Sequence, residues 1–199
     1  MRHRRLGALV LVVAGVSLAT NAAGAGPWRA RVVDAATGSP LPDVVVVSLW
    51  FRLTPGPVHT GRAFHAADEV ITDAQGRVEL PARRAWTWRP FTRLDGPHIR
   101  MFKGGYGPWQ FRGTDEWSRL DVVERDRNIH HAWQQLERDE GAVIELPPAP
   151  TRDERLRALR ASGLAVEVPP DRVPLWMAAY DREREALGLG SMRKPGGTP

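Results

Sequence analysis

The chain has no cysteine among its 199 residues. That removes disulfides, thiol nucleophiles, Cys-ligated metal sites and a lipid carried on a processed N-terminal cysteine, so core packing must supply the stability. Serines are few, at positions 17, 39, 48, 118, 162 and 191, and none sits in a Gly-x-Ser-x-Gly elbow. There is no His-Glu-x-x-His. The glycine-rich stretch KGGYG, 103–107, ends a strand-like run and enters more loop, whereas a phosphate-binding loop opens a helix. The longest apolar run, 6–19, is short against the roughly 20 residues a helix needs to span a bilayer.

That run has a defined setting. Arg2, Arg4 and Arg5 precede it with no acid, and the small-residue stretch TNAAGAGP follows it. This is the order of a secretory signal peptide, with cleavage expected after Ala25 and after Ala22 as the competing site. Residues 1–25 are therefore assigned to the signal peptide, the mature chain to the periplasm or the medium, with no stable membrane anchor after cleavage. Cleavage removes three arginines and no acid. The whole-chain balance of 28 Lys+Arg to 23 Asp+Glu, net +5, then falls to net +2. So weak a field, with no basic stripe interleaved with aromatics, argues against nucleic acid as a partner.

What remains is long enough for one domain with a sizeable core. WRARVVD, 28–34, alternates as a strand, and the Gly/Pro-rich stretch up to Asp43 is turn chemistry. Residues 44–51 form a second strand, because four consecutive valines lose rotamer freedom in a helix and favour extended backbone. This strand is apolar on both faces: Val45, Val47, Leu49 and Phe51 on one, Val44, Val46 and Trp50 on the other. One inter-sheet core cannot bury both sets. A strand over 61–73, bulged near Ala66 and Ala67, turns through Asp73 and Gly76 into a strand over 78–80. Further strands are expected at 98–103 and 120–123.

The pattern then changes. Ile129, Trp133 and Leu136 share a helical face within 127–141, with Gly141 as a stop. Thr151 with Glu154 forms a capping box opening a helix that closes at Gly163, and 173–190 reads as another helix with Pro174 in its first turn. The stretch AVIELPPAP is a connector between helices, and 191–199 a mobile tail. Short helices are marginal alone. Leu156, Leu159, Leu175, Trp176 and Leu187 are available to cover the second apolar face of strand 44–51.

Val32, Val33 and Asp34, Thr37 and Gly38, Pro40, Leu41 and Pro42, then Thr72, Asp73 and Gly76, Leu80 and Pro81, and finally Gly105 and Tyr106 occur in a familiar order. The chain resembles the carboxypeptidase regulatory-like domain family over about 28–108, and in particular its small exported bacterial members. The resemblance implies a mainly β fold, a seven-stranded transthyretin-like (immunoglobulin-like) β-sandwich. The resulting layout is a sandwich over 26–125, a C-terminal helical extension over 126–190 packed against it, and the tail. The Pro42-Asp43 step departs from the Pro-Gly usual in such domains, a turn that Asp can occupy. Family members are generally non-catalytic companions of enzymes or parts of envelope and sugar-processing systems. The resemblance carries no catalytic residue, metal or cofactor to this chain. It implies an exported accessory module whose partner is an envelope protein or a polysaccharide.

The binding candidates are aromatic. Trp86 and Trp88 share a face on an extended segment, and Tyr106 and Trp109 lie in the loop around Gly105. Such rings stack on sugars or anchor peptides, and the alternative function is accordingly a carbohydrate-binding module. The competing use is packing, with Trp133 and Trp176 fixing helices to the sheet. Asp73, Gly76 and Gly105 are structural turn residues. A metal-dependent hydrolase is the weakest reading. It needs His65 and His98 to converge with a carboxylate, because His130 and His131 are adjacent on a helix and diverge by about 100°. Ser118, Asp121 and His131 form a triad on paper only.

Overall fold

A computed structural model describes residues 23–85, 91–138 and 140–192. The chain is mainly β. A four-stranded sheet contains β2 (Trp28–Asp34), β5 (Arg77–Leu80), β8 (Gln110–Phe111) and β9 (Ala142–Leu146) in the order β5-β2-β9-β8. A three-stranded sheet holds β3 (Val45–Thr54) at its centre, between β4 (Gly61–Ile71) and β7 (Arg93–Phe102). A small ribbon pairs β1 (Ala23–Ala25) with β6 (Arg83–Ala85). Residues 1–22 of the predicted signal segment lie outside the described residues.

The two sheets share one core. Val32, Ile144 and Leu146 from the first meet Val44, Val46, Trp50, Ile99 and Met101 from the second. Trp50 is fully buried and leans on Trp28 at 6.4 Å, with no hydrogen-bond partner for its Nε1 among the described residues, so ring burial outweighs one lost hydrogen bond. Gly96 makes this packing possible: a Cβ there would sit 3.1 Å from the Trp50 ring and 2.7 Å from the Leu49 carbonyl oxygen.

The opposite face of β3 has its own cover. Val45, Val47, Leu49, Phe51 and Phe102 pack under Leu159, Val173, Trp176, Ala179 and Leu187 from the C-terminal helices α3 (Arg152–Ala161) and α4 (Pro174–Ala186). The expected third layer is present. Its attachment includes a polar element that the sequence conceals. Val173 offers no cap to α4, and the Glu69 carboxylate on β4 accepts from the N–H groups of Leu175 (3.0 Å) and Trp176 (2.7 Å). A sheet residue thus caps a helix more than 100 positions away. Arg155 of α3 grips buried Glu183 of α4 through two bonds of 2.8 and 2.7 Å. The capping box of Thr151 and Glu154 is formed.

Several boundaries differ from expectation. The segment 120–123 is no strand: Asp121 accepts from Glu124 N–H and starts α2 (Val122–Gln135), which begins five residues earlier than the apolar spacing suggests. Local capping outweighs the β preference of two valines that have no strand to pair with. The connector AVIEL is β9, parallel to β2 in the middle of the four-stranded sheet, with Ala142, Ile144 and Leu146 buried. Residues 126–190 are therefore not purely helical. Strand 98–103 starts earlier, at Arg93. The bulge falls at His65, the extra residue where Trp50 faces Ala66 and Phe51 faces Phe64. Of the tail, Ser191 and Met192 are tied to Asp181, and 193–199 lie outside the described residues.

Asp73 Oδ1 accepts from Gln75 and Arg77, and Gly76 has φ 71 with the Val32 carbonyl where a Cβ would go. Gly105 is also left-handed, with φ 81. Asp43 adopts φ 56 at the step where the resembled family carries glycine.

Two outcomes follow from this packing. Truncation after Pro150 uncovers the outer face of β3, and the shortened chain should melt lower and bind a hydrophobic dye that the intact chain excludes; an unchanged melt without dye binding would refute the three-layer packing. Asp43→Gly should raise stability by about 0.5–1 kcal/mol in urea unfolding, since glycine adopts a left-handed backbone without steric cost.

Candidate functional site

Between β8 and β9 the chain leaves the sheet and returns to it. Gly113, with φ 87, opens α1 (Thr114–Trp117), α2 follows, and a turn at Gly141 re-enters the sheet. The C-terminal half of α2 closes one end of the inter-sheet core with Ala132 and Leu136, and Arg29 N–H donates to the Leu136 carbonyl at 2.7 Å. Trp133 lies edge-on to Trp109 (6.0 Å) and Phe111 (5.4 Å), and Trp109 to Phe111 at 5.3 Å. These three rings fix the helix to the β8 edge.

A cleft opens on either flank of α2. The first, of about 480 Å³, is lined by Phe111, Arg112, Trp117, Asn128, His131, Gln135, Arg138 and Glu140, among others. The second, also about 480 Å³, lies among Trp28, Pro97, His130, Trp133, Gln134 and Glu137. Volumes of this order suit a small ligand or a side chain of a partner. In the first cleft Arg112 is held by Glu145 at 2.8 Å, and Gln135 Nε2 reaches His131 Nδ1 at 3.4 Å. The Arg138 guanidinium has no hydrogen-bond or ion-pair partner among the described residues. The Trp117 indole, the Arg138 cation, two amides and one imidazole therefore converge beside the buried Phe111 ring. That is recognition chemistry: donors and acceptors around an apolar wall.

The other chemical candidates are kept apart. His65 is on β4 and His98 on β7, with β3 between them, so two strand spacings, about 9.6 Å, separate their backbones. His98 bonds Asp95 at 2.9 Å and meets the Phe51 ring. His65 is held below the ordinary imidazole range by burial first, then by the charges of Arg52 and Arg83. Among the described residues no group of three His, Asp or Glu side chains is arranged to hold a metal ion. Asp121 serves as the α2 N-cap, and His131 lies ten residues further along the helix, about 15 Å away, which breaks the paper triad with Ser118.

The aromatic candidates divide. Trp86 and Trp88 lie outside the described residues. Trp109 is half-buried in the ring cluster under α2. Tyr106 is half-buried against the inter-sheet core, and its hydroxyl donates to Asp34 Oδ2 at 3.1 Å. Asp34 also accepts from the N–H groups of Ala36 (2.8 Å) and Thr37 (2.9 Å), so it closes the first turn. Tyr106 and Trp109 thus spend their faces on packing, as does buried Phe111, which leaves Trp117 as the half-buried aromatic lining the first cleft. Sequence reading missed the cleft because β9, which forms its floor, was not recognised as a strand. The alternation of Ala142, Ile144 and Leu146 with Val143 and Glu145 was the available signal.

Comparison with family models, with curated proteins and with solved structures returns no match.

The Tyr106–Asp34 bond has a pH signature. Burial pushes Asp34 up from its ordinary 3.8, but the donors Thr37, Ala36 and Tyr106 outweigh it and leave the carboxyl lowered. Tyr106 is raised from 10.0, first by burial and then by the bond to Asp34. A lowered acid stabilises the fold above its unfolded value and loses that contribution as pH falls through its folded one. A raised phenol stabilises below its unfolded value and loses that as pH rises through its folded one. Tyr106→Phe should cost about 1 kcal/mol at neutral pH. Its difference from wild type, followed by urea unfolding, should shrink below pH 3.8 and above pH 10.0. A pH-independent difference would show that the bond contributes nothing.

Proposed function

We propose that this chain is an exported, non-catalytic accessory module, a transthyretin-like sandwich that engages a protein partner of the cell envelope through the cleft beside α2. The observation that carries the reading is the cleft itself, with Phe111, Trp117, Asn128, Gln135 and Arg138 around one opening. Other carboxylates have structural duties: Asp34 in a turn, Asp121 and Glu69 at helix starts, Asp68 with Arg83, and Glu183 with Arg155. The signal-like N-terminus supports export, and the order of turn residues supports the family and sandwich type. Ala23–Ala25 pair with Arg83–Ala85, a ribbon that persists in the mature chain only if cleavage falls after Ala22.

A carbohydrate-binding module is the second reading. It is favoured by the indole of Trp117 beside planar amide and guanidinium donors, the usual set for a sugar face and its hydroxyls. In that case titration with cell-wall polysaccharide quenches Trp117 fluorescence.

The deciding experiment places a photo-crosslinking residue at Gln135, with the same residue at exposed Arg160 as the control. Cells of the native host should yield a discrete protein adduct from position 135, in the exported fraction only. A lone monomer from both positions in every growth condition, or a cytoplasmic chain with residues 1–25 intact, would overturn the proposal.

A further inference from the structure

The β3–β4 hairpin carries a second surface, well away from the cleft's floor. Its last pairs are Leu53 with Arg62 and Thr54 with Gly61, and β7 adds Arg93 opposite Leu53. Leu53 thus lies in register between two arginines on one face. The loop 55–60 follows, with Val58 93 % exposed at its tip. Phe91 stands just before β7, 88 % exposed, and Thr92 meets Thr54 at 3.4 Å between hydroxyls, which brings the two tips to the same end. Phe91 has φ 63, a left-handed backbone that a bulky side chain rarely adopts. No burial of the ring compensates for that conformation, the condition under which strain points to function.

Positive charge is in excess at this end. Segments 51–67 and 91–94 contain no Asp or Glu and carry Arg52, Arg62 and Arg93. Arg62 stacks over Phe51 at 3.5 Å and reaches Glu167 at 3.6 Å, and Arg83 is paired with Asp68. Arg52 and Arg93 have no ion-pair partner among the described residues.

We propose that this end of the three-stranded sheet is a peripheral docking surface for an anionic lipid bilayer, with Val58 and Phe91 entering the headgroup region and Arg52 and Arg93 facing lipid phosphates. Projecting apolar tips ringed by arginines fit a soft anionic plane. A polyanionic chain would instead require a groove lined by cations, without apolar projections. The surface is independent of the cleft beside α2 and of the partner proposed there.

The test is co-sedimentation of the chain from Ala23 onward, the form left by cleavage after Ala22, with vesicles of phosphatidylcholine alone, and of phosphatidylcholine mixed with phosphatidylglycerol. The arginines and apolar run of residues 2–19 are then absent from every variant, so binding reports the tip. Wild type should prefer the anionic vesicles and lose that preference in high salt. The pair Val58→Ser and Phe91→Asn should lower the bound fraction about tenfold or more. Asparagine tolerates the left-handed backbone, and Val58→Ser alone, at a fully solvated site, should give a smaller drop in the same direction. Arg52→Gln with Arg93→Gln should abolish the preference for phosphatidylglycerol, and Arg157→Gln on α3 should change nothing. Equal binding by wild type and the apolar double variant overturns the proposal, as does equal binding to both vesicles. So does binding of soluble dextran sulfate that displaces the vesicles and survives in the apolar double variant, because the cations would then be reading a polyanion.

Discussion

Strand β3 is apolar on both faces and lies at the centre of its sheet, and the remaining layers answer to that constraint. Val44, Val46 and Trp50 require a second sheet, supplied by β5, β2, β9 and β8. Val45, Val47, Leu49 and Phe51 require a different cover, supplied by α3 and α4. Each large side chain so buried contributes roughly 1.5–3 kcal/mol, which is how short helices with marginal independent stability hold their places. With no cysteine in the chain, this packing has no covalent reinforcement.

Apolar cover is not orientational, and the polar contacts supply the direction. Glu69 fixes where α4 begins by accepting from two of its free N–H groups. Arg155 and Glu183 set α3 against α4 with a two-bond geometry, and Asp181 gathers Ser191 and Met192 at the far end of α4. The bond to Glu183, against the opposing effect of burial, raises Arg155 above its ordinary value. Acidic groups that would otherwise be functional candidates are thereby committed to architecture. A further set of convergent polar groups lies beside α2, on the excursion between β8 and β9.

That excursion is anchored unevenly. Its C-terminal half is fixed by Trp133, Ala132 and Leu136, while Val122 and Val123 at its start are exposed. A helix held at one end above a sheet edge leaves clefts on both flanks, and the rigid sheet positions their walls. The hairpin tip with Val58 and Phe91 is a second such excursion, built from strands that outrun the core.

The sequence by itself determined whatever depends on neighbours along the chain. Alternation over 28–34 and 44–51, the turn at Asp73 and Gly76, the capping box at Thr151 and the need for a third layer over β3 were all legible, because period, turn chemistry and capping are local physics. Tertiary structure alone decided the rest. Five residues, Ala142–Leu146, become a central parallel strand only because β2 offers an open edge, and parallel pairing leaves no hairpin signal between its partners. Glu69 becomes a helix cap only when α4 folds over β4. The cleft beside α2 has walls from β8, α1, α2 and β9, and Tyr106 is a core residue only because Asp34 lies across the turn from it. Each of these contacts joins residues far apart in sequence, where composition and spacing carry no information about distance.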